Sequence, residues 1–249
     1  MFTTIGWSES QDSGGVLVNV AGIPDQSVTV TADDIVVPND LPNLAGVIAI
    51  GATISLARIE APSLRRMVLL DVDPLNIGAE PIFPSVLNQK FDNPIALDPA
   101  ESLRAQVAEG AAGAEQETVI AWLSDGPLAP VSGEIFRIRA TSATTLVAFT
   151  WGNCPLTLGQ TLPAGRYQVV GMSALSAGCL AARLVFVGYQ WRPGCVGVDA
   201  LSDGGDMIFR NGSLGVWGEF EHTQPPTVDF LSVSADTAET VFLDLIKVG

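Results

Sequence analysis

Apolar positions along the chain fall into short runs rich in β-branched and aromatic residues, separated by Pro, Gly, Asn and Asp. Runs of that length between turn residues read as strands. In the first half the pattern predicts strands over residues 16–20, 27–37, 45–59, 67–72 and 118–123. In the second half it predicts them over 134–140, 144–150, 166–174, 179–187, 196–198, 215–221, 227–233 and 239–248. One segment reads two ways. Asp98-Pro99-Ala100-Glu101 carries the Asp, Pro and acid of a helix start, and Gly110 would end that helix. Yet Leu103, Ala105 and Val107 alternate with Arg104, Gln106 and Ala108, the period of a strand. The surrounding all-β pattern tips the reading to strand, with residues 109–117 as the turn that follows.

Two tracts stand out. Residues 41–60 read LPNLAGVIAIGATISLARIE and residues 162–186 read LPAGRYQVVGMSALSAGCLAARLVF. The charge-free run over 41–57 is 17 residues long, short of the about 20 that a spanning helix needs, and is rich in Val and Ile. A strand buried on both faces fits it better. Leu41-Pro42 and Leu162-Pro163 are 121 residues apart, Gly51 and Gly171 are 120 apart, and Ala57-Arg58 and Ala182-Arg183 are 125 apart. An offset near half the chain length predicts two copies of one domain, with a small-residue bend near Ser176-Ala177-Gly178. The turn cluster Ser124-Asp125-Gly126-Pro127 puts the boundary between domains 1–126 and 127–249. Strand-rich halves of this size suggest antiparallel sandwiches: jelly rolls, immunoglobulin-like domains or barrels.

Charge narrows the function. Only 16% of residues are charged and 47% are apolar, so much of the surface is expected to meet other protein. The net charge is −15, with 5 Lys/Arg against 17 Asp/Glu up to Gly126 and 7 against 10 beyond it. There is no basic cluster of the kind that direct nucleic-acid packaging or a polybasic membrane contact requires. Three cysteines, Cys154, Cys179 and Cys195, form no CxxC pair and fit buried thiols folded in a reducing compartment. The opening MFTTIGWSESQDSGG lacks a basic region followed by an apolar core, so no secretory signal is expected.

Catalytic chemistry finds little support. The single histidine, His222, reads as a loop residue before Pro225-Pro226. No nucleophile elbow or phosphate-binding glycine loop is present. Asp199, Asp203 and Asp206 around Gly204-Gly205 are the candidate oxygen ligands for a calcium ion, though the spacing is not that of an EF-hand. Asp71, Asp73 and Glu80 are a second acidic set, and Trp151, Tyr189, Trp191 and Trp217 a candidate carbohydrate platform. A solvated turn and core packing are the bland readings of these sets. No enzyme activity, cofactor or resident metal is expected.

The second half carries a recognisable string. Leu162-Pro163-Ala164-Gly165-Arg166-Tyr167 is followed by Val170-Gly171, Ala182-Arg183-Leu184-Val185-Phe186, Arg192-Pro193-Gly194 and Gly215-Val216-Trp217-Gly218-Glu219-Phe220. Pro225-Pro226-Thr227, Ser234-Ala235-Asp236-Thr237-Ala238-Glu239 and Phe242-Leu243-Asp244-Leu245 close it. Over residues 130–249 the chain resembles the double jelly-roll major capsid proteins of tailless icosahedral bacteriophages. The resemblance implies an all-β chain with two side-by-side antiparallel jelly-roll sandwiches and little helix. It implies a homotrimer of pseudo-hexagonal outline, tiling a shell in the virion after folding in the host cytoplasm. Its partners would be itself, other virion proteins and an internal viral membrane nearby, without direct nucleic-acid contact. Arg166, Arg183, Arg192 and Arg210, scarce cations in an acidic chain, are the candidate interface residues. The alternatives are a single elaborated jelly roll, a minor capsid or cement protein, or a spike or tail module that binds a glycan or receptor.

Overall fold

The computed structural model describes residues 1–64, 70–76, 90–110, 114–143, 147–175, 178–198, 206–235 and 239–249. The described residues from Thr4 to Pro127 form one compact unit; those from Leu128 to Gly249, with Met1–Thr3, form a second. Among the described residues the named elements of both are β-strands, with a short 3-10 helix at Asp206–Phe209. Among the described residues no helix is long and apolar enough to cross a membrane.

The strands of the first half are β1 (Phe2–Gln11), β2 (Val18–Asn19), β3 (Val30–Thr31), β4 (Asp34–Val36), β5 (Asn43–Gly51), β6 (Ile54–Glu60), β7 (Leu70–Val72), β8 (Pro74–Asn76), β9 (Lys90–Ala96), β10 (Ser102–Glu109) and β11 (Glu115–Ser124). One sheet runs β1-β11-β5-β9, and the other β4-β10-β6-β7, with β2 also on β10. The second half has β12 (Phe136–Ser142), β13 (Gly152–Cys154), β14 (Thr157–Leu158), β15 (Arg166–Leu175), β16 (Cys179–Val185), β17 (Gly194–Val198), β18 (Gly218–Glu221), β19 (Thr227–Ser232) and β20 (Glu239–Lys247). Its orders are β12-β20-β15-β18 and β13-β19-β16-β17. Position by position the two halves follow the same path. Short parallel pairings stand at corresponding places: β5 with β8, which follows β7 after Asp73, at Ala49↔Pro74 and Ile50↔Leu75, and β15 with β17, where it joins the two sheets of the second half, at Ala174↔Gly197 and Leu175↔Val198.

The correspondence reaches individual residues. In β5, Trp122 pairs with Gly46 and Leu123 with Leu44, so Ala45 is bulged out; in β15, Asp244 pairs with Gly171 and Leu245 with Val169, so Val170 is. In β6 the pairs Ala108↔Leu56 and Glu109↔Ile54 skip Ser55; in β16 the pairs Leu231↔Ala181 and Ser232↔Cys179 skip Leu180. After the second bulge, the Gly110 amide donates to the Thr53 carbonyl, as that of Val233 does to Gly178, both at 2.8 Å. All these pairs place β5–β6 exactly one constant spacing, 125 residues, before β15–β16. Bulges fix register and are retained as features of a fold. The equivalence of Ala57-Arg58 with Ala182-Arg183 therefore holds, whereas Gly51 and Gly171, and the two Leu-Pro pairs, are not equivalent. The true counterpart of Gly171 is Gly46, because pairing register and not residue identity sets the alignment.

Local chemistry explains the departures from the predicted strands. The run over 45–59 turns back on itself at Ala52-Thr53 and becomes a hairpin, and β5 is buried along nearly its whole length. The run over 27–37 is broken at Ala32, whose φ is 52°, giving the two-residue turn between β3 and β4. Asp98–Glu101 is a turn, not a helix: Ala100 has a φ of 63°, and the Glu101 carboxylate accepts from the amides of Asp98 and Ser63. Beyond it Leu103, Ala105 and Val107 point inward as the alternation predicts. Residues 147–150 form a turn where a strand was predicted. The pattern missed β1, β8, β9, β13 and β14; at β8 it read Asp73-Pro74-Leu75-Asn76 as a break.

Candidate functional site

Charged residues in an acidic, charge-poor chain locate the polar centres. Two centres sit in the second unit, and each is built around an aspartate on a buried strand position. Asp244 lies in β20 between Leu243 and Leu245 and is fully buried. Its carboxylate accepts from Arg210 Nε at 2.9 Å and Nη2 at 3.0 Å, a two-pronged pairing. Arg137, its cross-strand neighbour on β12, donates at 2.8 Å, and the Asn211 amide donates at 2.8 Å. Burial alone would raise the Asp244 pKa; the hydrogen bonds from Arg210, Arg137 and Asn211 outweigh it and hold the carboxyl below its ordinary range. Gly171 makes this possible. A Cβ there would stand 2.8 Å from both the Asp244 carboxylate and the Phe209 carbonyl, so only glycine lets the loop lie against β15.

The second centre spans three neighbouring strands. Arg183 on β16 is paired across the sheet with Asp229 on β19, which is paired with Asn153 on β13. Arg183 Nε donates to Asp229 at 3.1 Å, and Asn153 Nδ2 donates to the other carboxylate oxygen at 2.8 Å. The Arg183 guanidinium also lies 4.0 Å from the Trp151 ring centroid, a cation–π stack that seals the pair from water. The Arg183 side chain is only 3% exposed.

The four candidate interface arginines thus have partners within the chain. Arg183 is buried and Arg210 is largely enclosed in these centres. Arg192 donates to the carbonyls of Tyr189 and Gln190, and its amide donates to the Thr3 hydroxyl. Arg166 is 56% exposed and stands 3.6 Å from Glu219. It lines a shallow cleft of ≈ 260 Å³ with Val187, Tyr189, Glu219, Glu221 and Gln224. Val187 and Tyr189 protrude there, while the ring of Tyr189 packs against Phe186.

The remaining candidates are placed as follows. His222 accepts from the Gly165 amide through Nδ1, and its own amide donates to the Gly165 carbonyl, so it fastens a turn. Trp191 and Trp217 are buried, and Trp217 meets Phe2 and Phe209 edge-on; they form no exposed carbohydrate platform. Asp71 pairs with Arg58 across β6 and β7 at 2.6 Å. Asp199, Asp203 and Glu80 lie outside the described residues, as does the side chain of Asp206. Among the described residues no three His, Cys, Asp or Glu side chains converge as a metal site. Cys154, Cys179 and Cys195 are buried thiols.

Sequence reasoning missed Asp244 and Asp229 as centres. The signal was available: each is a single acid inside an apolar strand, in Phe242-Leu243-Asp244-Leu245 and Val228-Asp229-Phe230-Leu231. A lone acid buried in such a run keeps its charge only with a cationic partner.

No family model matches the chain, and no curated protein does. Among solved structures it is similar to the crystal structure of the major capsid protein P2 from bacteriophage PM2, at 11% identity and a TM-score of 0.25. That similarity covers 100% of this chain and 98% of the other, and at such a level it carries no argument of its own.

Proposed function

We propose that the chain is a structural, non-catalytic virion protein: a major capsid protein built as a double jelly roll. A jelly roll winds eight strands into two four-stranded sheets with the orders B-I-D-G and C-H-E-F. In the second unit β12, β20, β15 and β18 take the first order, and β13, β19, β16 and β17 the second. In the first unit β1, β11, β5 and β9 take the first order, and β4, β10, β6 and β7 the second. The single observation that carries the reading is this twofold use of one winding, down to two bulges at constant spacing. The resemblance of residues 130–249 to tailless-phage capsid proteins supports it independently.

In this reading three chains make a trimer with six jelly rolls around its axis, and trimers tile an icosahedral shell in the virion. The protein folds in the host cytoplasm. Closed symmetry turns one modest interface into a stable ring. The low charge content and protruding residues such as Val187 suit a surface that is covered on assembly. Size-exclusion chromatography with light scattering is the test. A trimer of the 26.0 kDa chain, or a larger multiple of it, is expected. A strict monomer at high concentration would sink the capsomer reading and leave the minor-capsid or spike alternative.

A further inference from the structure

Glu117 opens the buried part of β11 and is fully buried, yet neither carboxylate oxygen makes a hydrogen bond of ordinary geometry. It is paired across the sheet with Gly51, and its carboxyl group occupies the space where a side chain at 51 would begin. The groups facing it come from four elements. β10 contributes Glu109, also fully buried. Its own strand contributes Glu115. β5 contributes Gly51, and the turn into β6 contributes Thr53, whose hydroxyl is likewise buried without a hydrogen bond. Glu109 differs from Glu117 in being satisfied: the Ser13 and Glu115 amides donate to it at 3.0 and 3.2 Å. The charges acting on Glu117 are therefore both negative.

We propose that Glu117 is a proton-operated latch on the β5–β6 end of the first unit: protonated, it lies over Gly51 beneath the closed turn; ionised, it leaves and the turn opens. The step releases one proton to water and breaks no covalent bond but that O–H; the hydrogen bond from the Gly110 amide to the Thr53 carbonyl is lost as the turn opens. Burial, then the charges of Glu109 and Glu115, push the carboxyl up to about 8, against a slight opposing pull from the Thr53 backbone. The equivalent position at the start of β20 is also a buried glutamate, Glu239. The latch does not depend on the capsid reading.

The sign follows from linkage. An acid raised in the closed state stays protonated there while the open state ionises from 4.5 upward. Between those values the open fraction grows about tenfold per pH unit, and above about 8 it levels off. Hydrogen exchange of the full chain, corrected for intrinsic rates, reads this out over residues 48–56. Protection in the wild type should fall about tenfold per pH unit from about pH 5 to 8 and then flatten. Glu117→Gln should abolish the dependence. A flat wild-type profile, or an unchanged slope in Glu117→Gln, overturns the latch. If that variant does not fold, infrared spectroscopy of the wild type, followed in step with the loss of protection over residues 48–56, decides. A protonated-carboxyl band at about pH 7 that vanishes on alkalinisation supports the latch, and its absence refutes it.

Discussion

Replacing Asp244 with alanine removes the acceptor of four hydrogen bonds at once. Arg137 is 48% exposed and can turn to water, but Arg210, at 11%, stays enclosed with an uncompensated charge. Breaking a buried pair from one side costs about 3–5 kcal/mol. For a unit of this size that lowers the melting temperature by roughly 15 °C. Differential scanning calorimetry of the wild type, Asp244→Ala, Asp244→Asn and the double variant with Arg210→Ala measures it. The double variant should recover part of the loss, because the stranded charge is gone. The pH dependence is a second check. The Asp244 pKa is lowered on folding, so its stabilisation is present above the ordinary carboxylate range and is lost as pH falls through the folded value. Wild type and Asp244→Asn should therefore converge in strong acid. A loss at about pH 7 below about 1 kcal/mol, or one of equal size in strong acid, refutes the reasoning.

Two further outcomes are expected. Arg183→Lys should destabilise nearly as much as Arg183→Ala, by about 3 kcal/mol in urea titrations, because an ammonium cannot both pair with Asp229 and lie flat on Trp151; full rescue by lysine contradicts this. The thiols of Cys154, Cys179 and Cys195 are at most 2% exposed, so a bulky thiol reagent should label none in the native protein and all three in denaturant. Labelling of any one under native conditions would show that its strand opens.

The β-rich character and the strands with uninterrupted apolar runs, such as β11, β15 and β20, were legible because burial on one or both faces imposes composition. The short strands were not. β13 is only Gly152–Cys154, and its position is set by pairing with β19, a partner more than 70 residues away. β1 was hidden by its threonines and serines: Thr3 and Thr4 are fully buried but carry no apolar signal. The repeat was visible only where residues coincide by descent or by chance, at Ala57-Arg58 and Leu41-Pro42. Register separated the two, and register is a property of pairs that one strand's sequence does not encode. The candidate arginines were found by their scarcity, but their partners required the fold.

Phe2 packs edge-on against Trp217 at 5.3 Å, and the Arg192 amide donates to the hydroxyl of Thr3 across a separation of 189 residues. On a ribosome the first of these residues is made well before its partner. At about 5–20 residues per second the wait is roughly 10–40 s. Through that interval Phe2 has no Trp217 to pack against, and β1 cannot be complete at its leading end. Folding of this chain is therefore not a simple progression from first residue to last. The packing of Phe2 and the hydrogen bond to Thr3 wait for residues made about 190 to 215 positions later.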